Sequence, residues 1–82
     1  MRLDKWLWQS RLSKSRTLAQ KWIEAGAVRV NRVAAAKTSA LVKPGDVLTF
    51  AQGPVIRVVR IVALGHRRGP PAEARALYDD LG

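Results

Sequence analysis

The chain has 82 residues, 15 of them Lys or Arg and 6 Asp or Glu, for a formal charge of +9. That length holds one small domain whose core buries only about 60–65% of the surface of the unfolded chain, which excludes an enzyme with separate cofactor and substrate domains. The absence of cysteine and the single histidine exclude disulfide staples, thiolate metal sites and multi-histidine metal sites.

No apolar run approaches the ~18–20 residues of a membrane span, and the N-terminus has no apolar stretch followed by a small-residue cleavage site. A cytoplasmic chain without membrane contact is expected. At 48% hydrophobic residues it is globular rather than a disordered basic tail. The charge is uneven: residues 1–43 hold ten basic and two acidic residues, whereas residues 69–82 hold one basic and three acidic. Such a field on one half of a small domain favours a polyanionic partner.

Arg2 to Leu12 is expected to be helical, with Leu3, Trp6, Leu7 and Ser10 on one face at the i, i+3, i+4, i+7 spacing. Asp4 falls in the first turn, where a carboxylate suits the positive helix end. Arg2, Lys5 and Gln9 are expected on the solvent side, and Trp8 with Leu12 makes a second apolar stripe. Ser13 to Thr17 is a polar connection in which Ser15 or Thr17 caps a second helix, Thr17 and Gln20 having capping-box spacing. Leu18, Ala19, Trp22, Ile23 and Ala25 carry the apolar stripe of that helix, and Gly26 ends it in a left-handed conformation.

Strands follow. Val28 and Val30 alternate with Arg29 and Asn31, and Asn31-Arg32 is read as a tight turn even though glycine is the usual second residue. Residues 34–40 are small and irregular. Lys43-Pro44-Gly45-Asp46 and Gln52-Gly53-Pro54 are turns flanking a strand at Val47 to Phe50. Val55 to Leu64 is the strongest strand, but Arg57 and Arg60 stand in opposite phases of its alternation. A bulge, or two partly wet faces, must accommodate them. A basic loop from Gly65 to Pro71 precedes a terminal helix expected over 72–81, with proline just before its start.

The turn at 13–17 points to phosphate recognition. Lys14 and Arg16 sit beside hydroxyls and the free N–H groups of a helix start, a combination that attracts anions. Arg11 ends the preceding helix near the same corner, and Gln20 adds a neutral hydrogen bond. Arg29, Arg32 and Lys37 join them if the strand folds back on the helix pair. Trp6 and Trp22 are expected in the core, Trp8 is open between packing and base stacking, and His66 is an exposed loop residue. Asp79 and Asp80, adjacent on a helix, would diverge by about 100°, too far for shared acid–base work. No catalytic or metal-binding residue is expected.

At this point the sequence resembles the RNA-binding domain family named after ribosomal protein S-four. Arg2-Leu3-Asp4-Lys5, Arg11, Ser15-Arg16, Ala19, Ile23, Gly26, Val28, Val30-Asn31 and Gly45-Asp46 occur in the family's order and spacing, over about residues 2–50. The whole chain is most similar to the branch of small bacterial heat-shock proteins of fifteen kilodaltons. That branch has the same Arg2-to-Trp8 opening and a downstream Arg-Arg-Pro segment, here Arg67 to Tyr78, offset by one residue.

The resemblance implies an α+β chain of the α-L type, two N-terminal helices packed on a small twisted, mostly antiparallel sheet, followed by a short C-terminal helix. It sets the RNA-binding domain at residues 1–64 and a basic loop with terminal helix at 65–82. It also implies non-catalytic binding of structured RNA, most of all large-subunit ribosomal RNA or a subunit still carrying peptidyl-tRNA, in a heat-shock or stalled-translation setting. Position by position it marks Arg2, Lys5, Arg11, Lys14, Ser15, Arg16, Arg29, Asn31 and Lys37 as RNA-facing; Gln20 and Arg32 join them from the charge and turn pattern. Arg32 departs from the family, which has glycine there, and the family's basic C-terminal extension has no counterpart in these residues. Two other readings stay open: an accessory module of a pseudouridine synthase-like system, and a duplex DNA binder. No cofactor and no small-molecule substrate are expected, and a monomer is.

Overall fold

The computed structural model describes residues 1–82. Two helices, α1 (Leu3–Gln9) and α2 (Arg16–Glu24), precede β1 (Val28–Val30), β2 (Val33–Ala34), β3 (Val47–Gln52) and β4 (Val55–Ile61); α3 (Pro71–Arg75) and β5 (Tyr78–Asp80) complete the chain. The sheet is antiparallel throughout, in the order β2-β1-β3-β4-β5. This is the expected α+β arrangement. No helix is long and apolar enough to cross a membrane.

One face of the sheet carries the core. Val28, Leu48, Phe50, Val59 and Ile61 are buried against Leu3, Trp6, Leu7, Leu12, Ala19 and Ile23 of the helix layer. The period-two alternation of the strands and the helical stripes meet there, as burial of apolar surface requires. Trp6 is fully buried, donates its indole N–H to the Ala63 carbonyl at 3.0 Å and meets Tyr78 edge-on. Trp22 is half-buried and stacks on Phe50 with centroids 5.9 Å apart. Both expected core tryptophans therefore pack.

The helix ends explain the element lengths. Ser15 caps α2, its hydroxyl accepting the Leu18 amide at 3.0 Å, so Thr17 lies inside the helix and forms no capping box. Gly26 follows the α2 C-cap with φ of 74°, its amide bonded to Ile23 and the next amide, of Ala27, to Trp22, the two bonds of a Schellman ending. Arg11 occupies the corresponding place after α1 with φ of 62°, which stops that helix short of the expected Leu12. The first-turn amides of Leu3 and Asp4 are met by the Ala40 and Thr38 carbonyls, so the irregular 34–40 stretch has a partner at the start of α1.

Two further expectations change, and one open alternative is resolved. The helix expected over 72–81 is one turn of α3 followed by a strand. β5 pairs with the free edge of β4, with Tyr78 opposite Ile61 and Asp79 opposite Arg60. An isolated ten-residue helix is marginal, whereas an uncovered strand edge presents a row of unpaired backbone groups that β5 satisfies. Asp79 and Asp80 thus alternate across a strand, and the sheet takes in residues on both sides of position 64. Gln9, expected in solvent, is buried beneath the C-terminal segment, close to Gly65. β4 runs in unbroken register with β3, so no bulge separates Arg57 from Arg60. Both faces are partly wet instead: Arg57 bonds Gln52 and Asp80 on one, and Arg60 is exposed on the other.

Asn31 and Arg32, with φ of 51° and 72°, form the two-residue turn between Val30 and Val33. Both central residues are left-handed, the conformation of a type I′ hairpin turn, for which Asn-Gly is the favoured pair. A side-chain-bearing residue in that region costs roughly 1–2 kcal/mol. Arg32→Gly should therefore raise stability, by about 1 kcal/mol after the extra flexibility of glycine in the unfolded chain is deducted. Thermal melts check this; an unchanged or lower midpoint would contradict the strain assigned to the turn.

Candidate nucleic-acid interface

Asp4 organises the cationic corner. Its carboxylate is fully buried and accepts from five groups. Oδ1 takes the Lys5 amide at 2.8 Å and the Arg2 Nε at 3.2 Å; Oδ2 takes Gln20 Nε2 at 2.9 Å, Arg2 Nη2 at 3.2 Å and Arg16 Nε at 3.3 Å. Two guanidiniums from different helices thus converge on one carboxylate. Their side chains remain 45% and 40% exposed. Arg16 spends only its Nε, and Arg2 keeps Nη1, so terminal N–H donors remain for an anion outside. A guanidinium held in place loses less freedom on binding phosphate than a free one.

Burial pushes the Asp4 carboxyl upward. The hydrogen bonds from Gln20, Arg16 and Arg2, with the charge of Arg16, outweigh it and hold the group below the ordinary carboxylate range. Asp46 behaves alike: burial raises it, while Asn31 and the amide and ammonium of Lys43 lower it further.

The other expected residues divide into two groups. Lys5 lies on α1, Lys14 is exposed in the turn, and Ser15 spends its hydroxyl on the cap of α2. Lys37 precedes Thr38, whose carbonyl meets the Asp4 amide. Along the chain each of these lies within two residues of a member of the Asp4 hub or of its backbone partner Thr38. Arg29 and Arg32 do not join the hub. Val28 and Val30 turn toward the helices, so Arg29 between them projects from the opposite face of the sheet. There Asn31, Arg32, Val47, Thr49 and Val58 line an open cavity of about 350 Å³. The strand does not fold its arginines back onto the helix pair. Asn31 turns its amide inward, donating to Asp46 at 3.1 Å and accepting from the Val47 amide at 2.9 Å.

Of the eight expected cations, only Arg2 and Arg16 form ion pairs; Lys5, Arg11, Lys14, Arg29, Arg32 and Lys37 face no acidic partner. Arg11 instead donates Nε to the Gly69 carbonyl at 2.6 Å. The residue that sequence reasoning placed elsewhere is Asp4, read as a helix-start residue rather than the centre of the site. Its signal was present in the i, i+12 and i, i+16 positions of Arg16 and Gln20, which only the helix crossing makes meaningful. No cluster of His, Asp or Glu suits a metal ion.

Because Asp4 titrates lower in the folded chain than in the unfolded one, its contribution is complete above the ordinary aspartate value of about 3.9 and fades as pH falls through the folded value. Asp4→Asn should cost about 1–3 kcal/mol at pH 7, and the gap to the parent protein should narrow below about pH 4. Chemical denaturation at pH 7 and pH 3 measures both; an equal gap at the two values would contradict a charged Asp4 hub.

Residues 1–48 match the S4 domain family model. Over 80 residues the chain is 41% identical to Heat shock protein 15 of Escherichia coli, covering 98% of this chain and 59% of that protein. Over 64 residues it is 47% identical to the RQC P-site tRNA stabilizing factor of Listeria innocua, covering 78% of this chain and 68% of that one. A trimeric structure of Heat Shock Protein 15 from Vibrio cholerae superposes with a TM-score of 0.92 at 38% identity, covering 98% of this chain and 80% of that one. The chain spans about three fifths of the length of its Heat shock protein 15 relatives. Its helix pair, its sheet and the family match over more than half its length together establish that the chain belongs to the S4 domain family.

Proposed function

We propose that this chain is a non-catalytic binder of structured RNA, acting in the cytoplasm on large-subunit ribosomal RNA or on a subunit that still carries peptidyl-tRNA after translation has stalled. The observation that carries this reading is the Arg2–Asp4–Arg16 hub flanked by Lys5, Lys14 and Lys37. It is a cationic corner whose guanidiniums are fixed before the ligand arrives. Contacts of this kind reach phosphates and 2′-hydroxyls and follow RNA shape. The names of the relatives, a heat shock protein and a factor stabilizing P-site tRNA, support the ribosomal setting.

The geometry disfavours reading of duplex DNA. A recognition helix needs free side chains for base edges. On α2, Gln20 and the Nε of Arg16 are committed to Asp4, which leaves Thr17, Lys21 and Glu24 as the exposed side chains.

Lys14→Ala with Arg16→Ala should weaken binding to a large-subunit rRNA hairpin at least tenfold in a chain that keeps its circular dichroism, while Arg75→Ala changes little. If five or six phosphates are neutralised, log K should fall with log salt at a slope of about −3.5 to −5. Filter binding with duplex DNA as competitor reads all of this. Full affinity in the folded double variant, or equal competition by DNA, defeats the proposal. The chain is expected to sediment as a monomer without RNA, since like charges oppose self-association. A trimer at micromolar concentration would align it instead with the Vibrio cholerae relative.

A further inference from the structure

Away from the Asp4 hub, the loop over 65–69 is fastened to the C-terminal end of α1 from both sides. Arg68 donates Nε to the Trp8 carbonyl at 3.1 Å, and its guanidinium carbon lies 5.8 Å from the centre of the Trp8 ring, within cation–π range. Arg11 reaches the other way, from the helix end to the Gly69 carbonyl. Each arginine uses only Nε in these bonds, so the terminal amines of both are free, and neither has an acidic partner.

Arg11 is also left-handed, in the place where α2 uses Gly26. Backbone strain of this kind persists where the side chain is needed. The Arg67-to-Tyr78 segment supplies the rigidity: α3 buries Ala74, Leu77 packs against Gly65, and Tyr78 meets Trp6. The loop is thus held by packing on one side and by two guanidiniums on the other. Trp8 and Arg68 both remain half-exposed.

We propose that the Trp8–Arg68 pair, with Arg11 beside it, is a stacking site for an unpaired base of the bound RNA, the adjoining phosphate falling to the free amines of Arg11. The chemistry fits. Sequence-tolerant RNA contacts use aromatic rings and guanidinium planes as platforms for splayed bases, and here both are fixed in advance. The patch adjoins the turn along the chain, Arg11 preceding Lys14 by three residues and Arg16 by five. The inference rests on the RNA-binding reading and adds to it a preference for RNA that presents an extruded base.

The test compares two RNA hairpins of equal length and charge, one fully paired and one with a single extruded nucleotide, titrated into the full chain at fixed salt. The bulged hairpin should bind at least about fivefold tighter, the lower end of what one base–aromatic stack contributes. Arg68→Lys, which keeps the charge and loses the planar group, and Trp8→Leu should each bring the ratio towards one. Equal binding of the two hairpins by the unaltered chain overturns the stacking site while leaving the RNA-binding reading in place. Binding of neither overturns both. A preference that survives Arg68→Lys in a folded chain also overturns the site. The ratio measured on the unaltered chain needs no variant to fold.

Discussion

A single buried carboxylate governs this molecule. Asp4 is closed off from solvent, yet it is charged because Arg2, Arg16, Gln20 and a backbone amide all donate to it. The desolvation that opposes a buried charge is offset only while those donors are present. The same bonds therefore set the crossing of α1 and α2, and they aim two guanidiniums outward at fixed positions. Fold and candidate site thus share one interaction. The second buried carboxylate, Asp46, plays the parallel part for the sheet, tying the Asn31 turn to the Pro44-Gly45 turn.

Left-handed backbone positions tell a related story. Gly26, Gly45, Gly53 and Gly65 occupy such positions at no steric cost, whereas Arg11 and Arg32 occupy them against their preference. Both are cations without an ion-pair partner. The chain gives up local stability at two turns and places positive charge there. Strain sited at exposed cations, rather than in the core, is what a protein selected for contact with a polyanion would tolerate.

The cationic surface has two faces. On one, Arg2 and Arg16 are joined through Asp4. Arg29 and Arg32 belong to the reverse of the sheet, beside the cavity floored by Val47 and Val58. The C-terminal segment closes the fold: β5 covers the β4 edge, and the loop before α3 covers Gln9.

The helix pair, the Gly26 stop, the turns at Asn31, Gly45 and Gly53, the burial of Trp6 and the family were legible in the residues themselves. Periodicity, capping and turn chemistry act over a few residues, so a linear reading captures them. Tertiary structure alone decided the rest. It made Asp4 a hub, because the partners lie 12 and 16 residues away and meet only through helix crossing. It sent Arg29 to the far face, because strand alternation fixes opposite sides without saying which one the helices cover. It turned the expected terminal helix into β5, because an unsatisfied strand edge outweighs the weak propensity of ten residues.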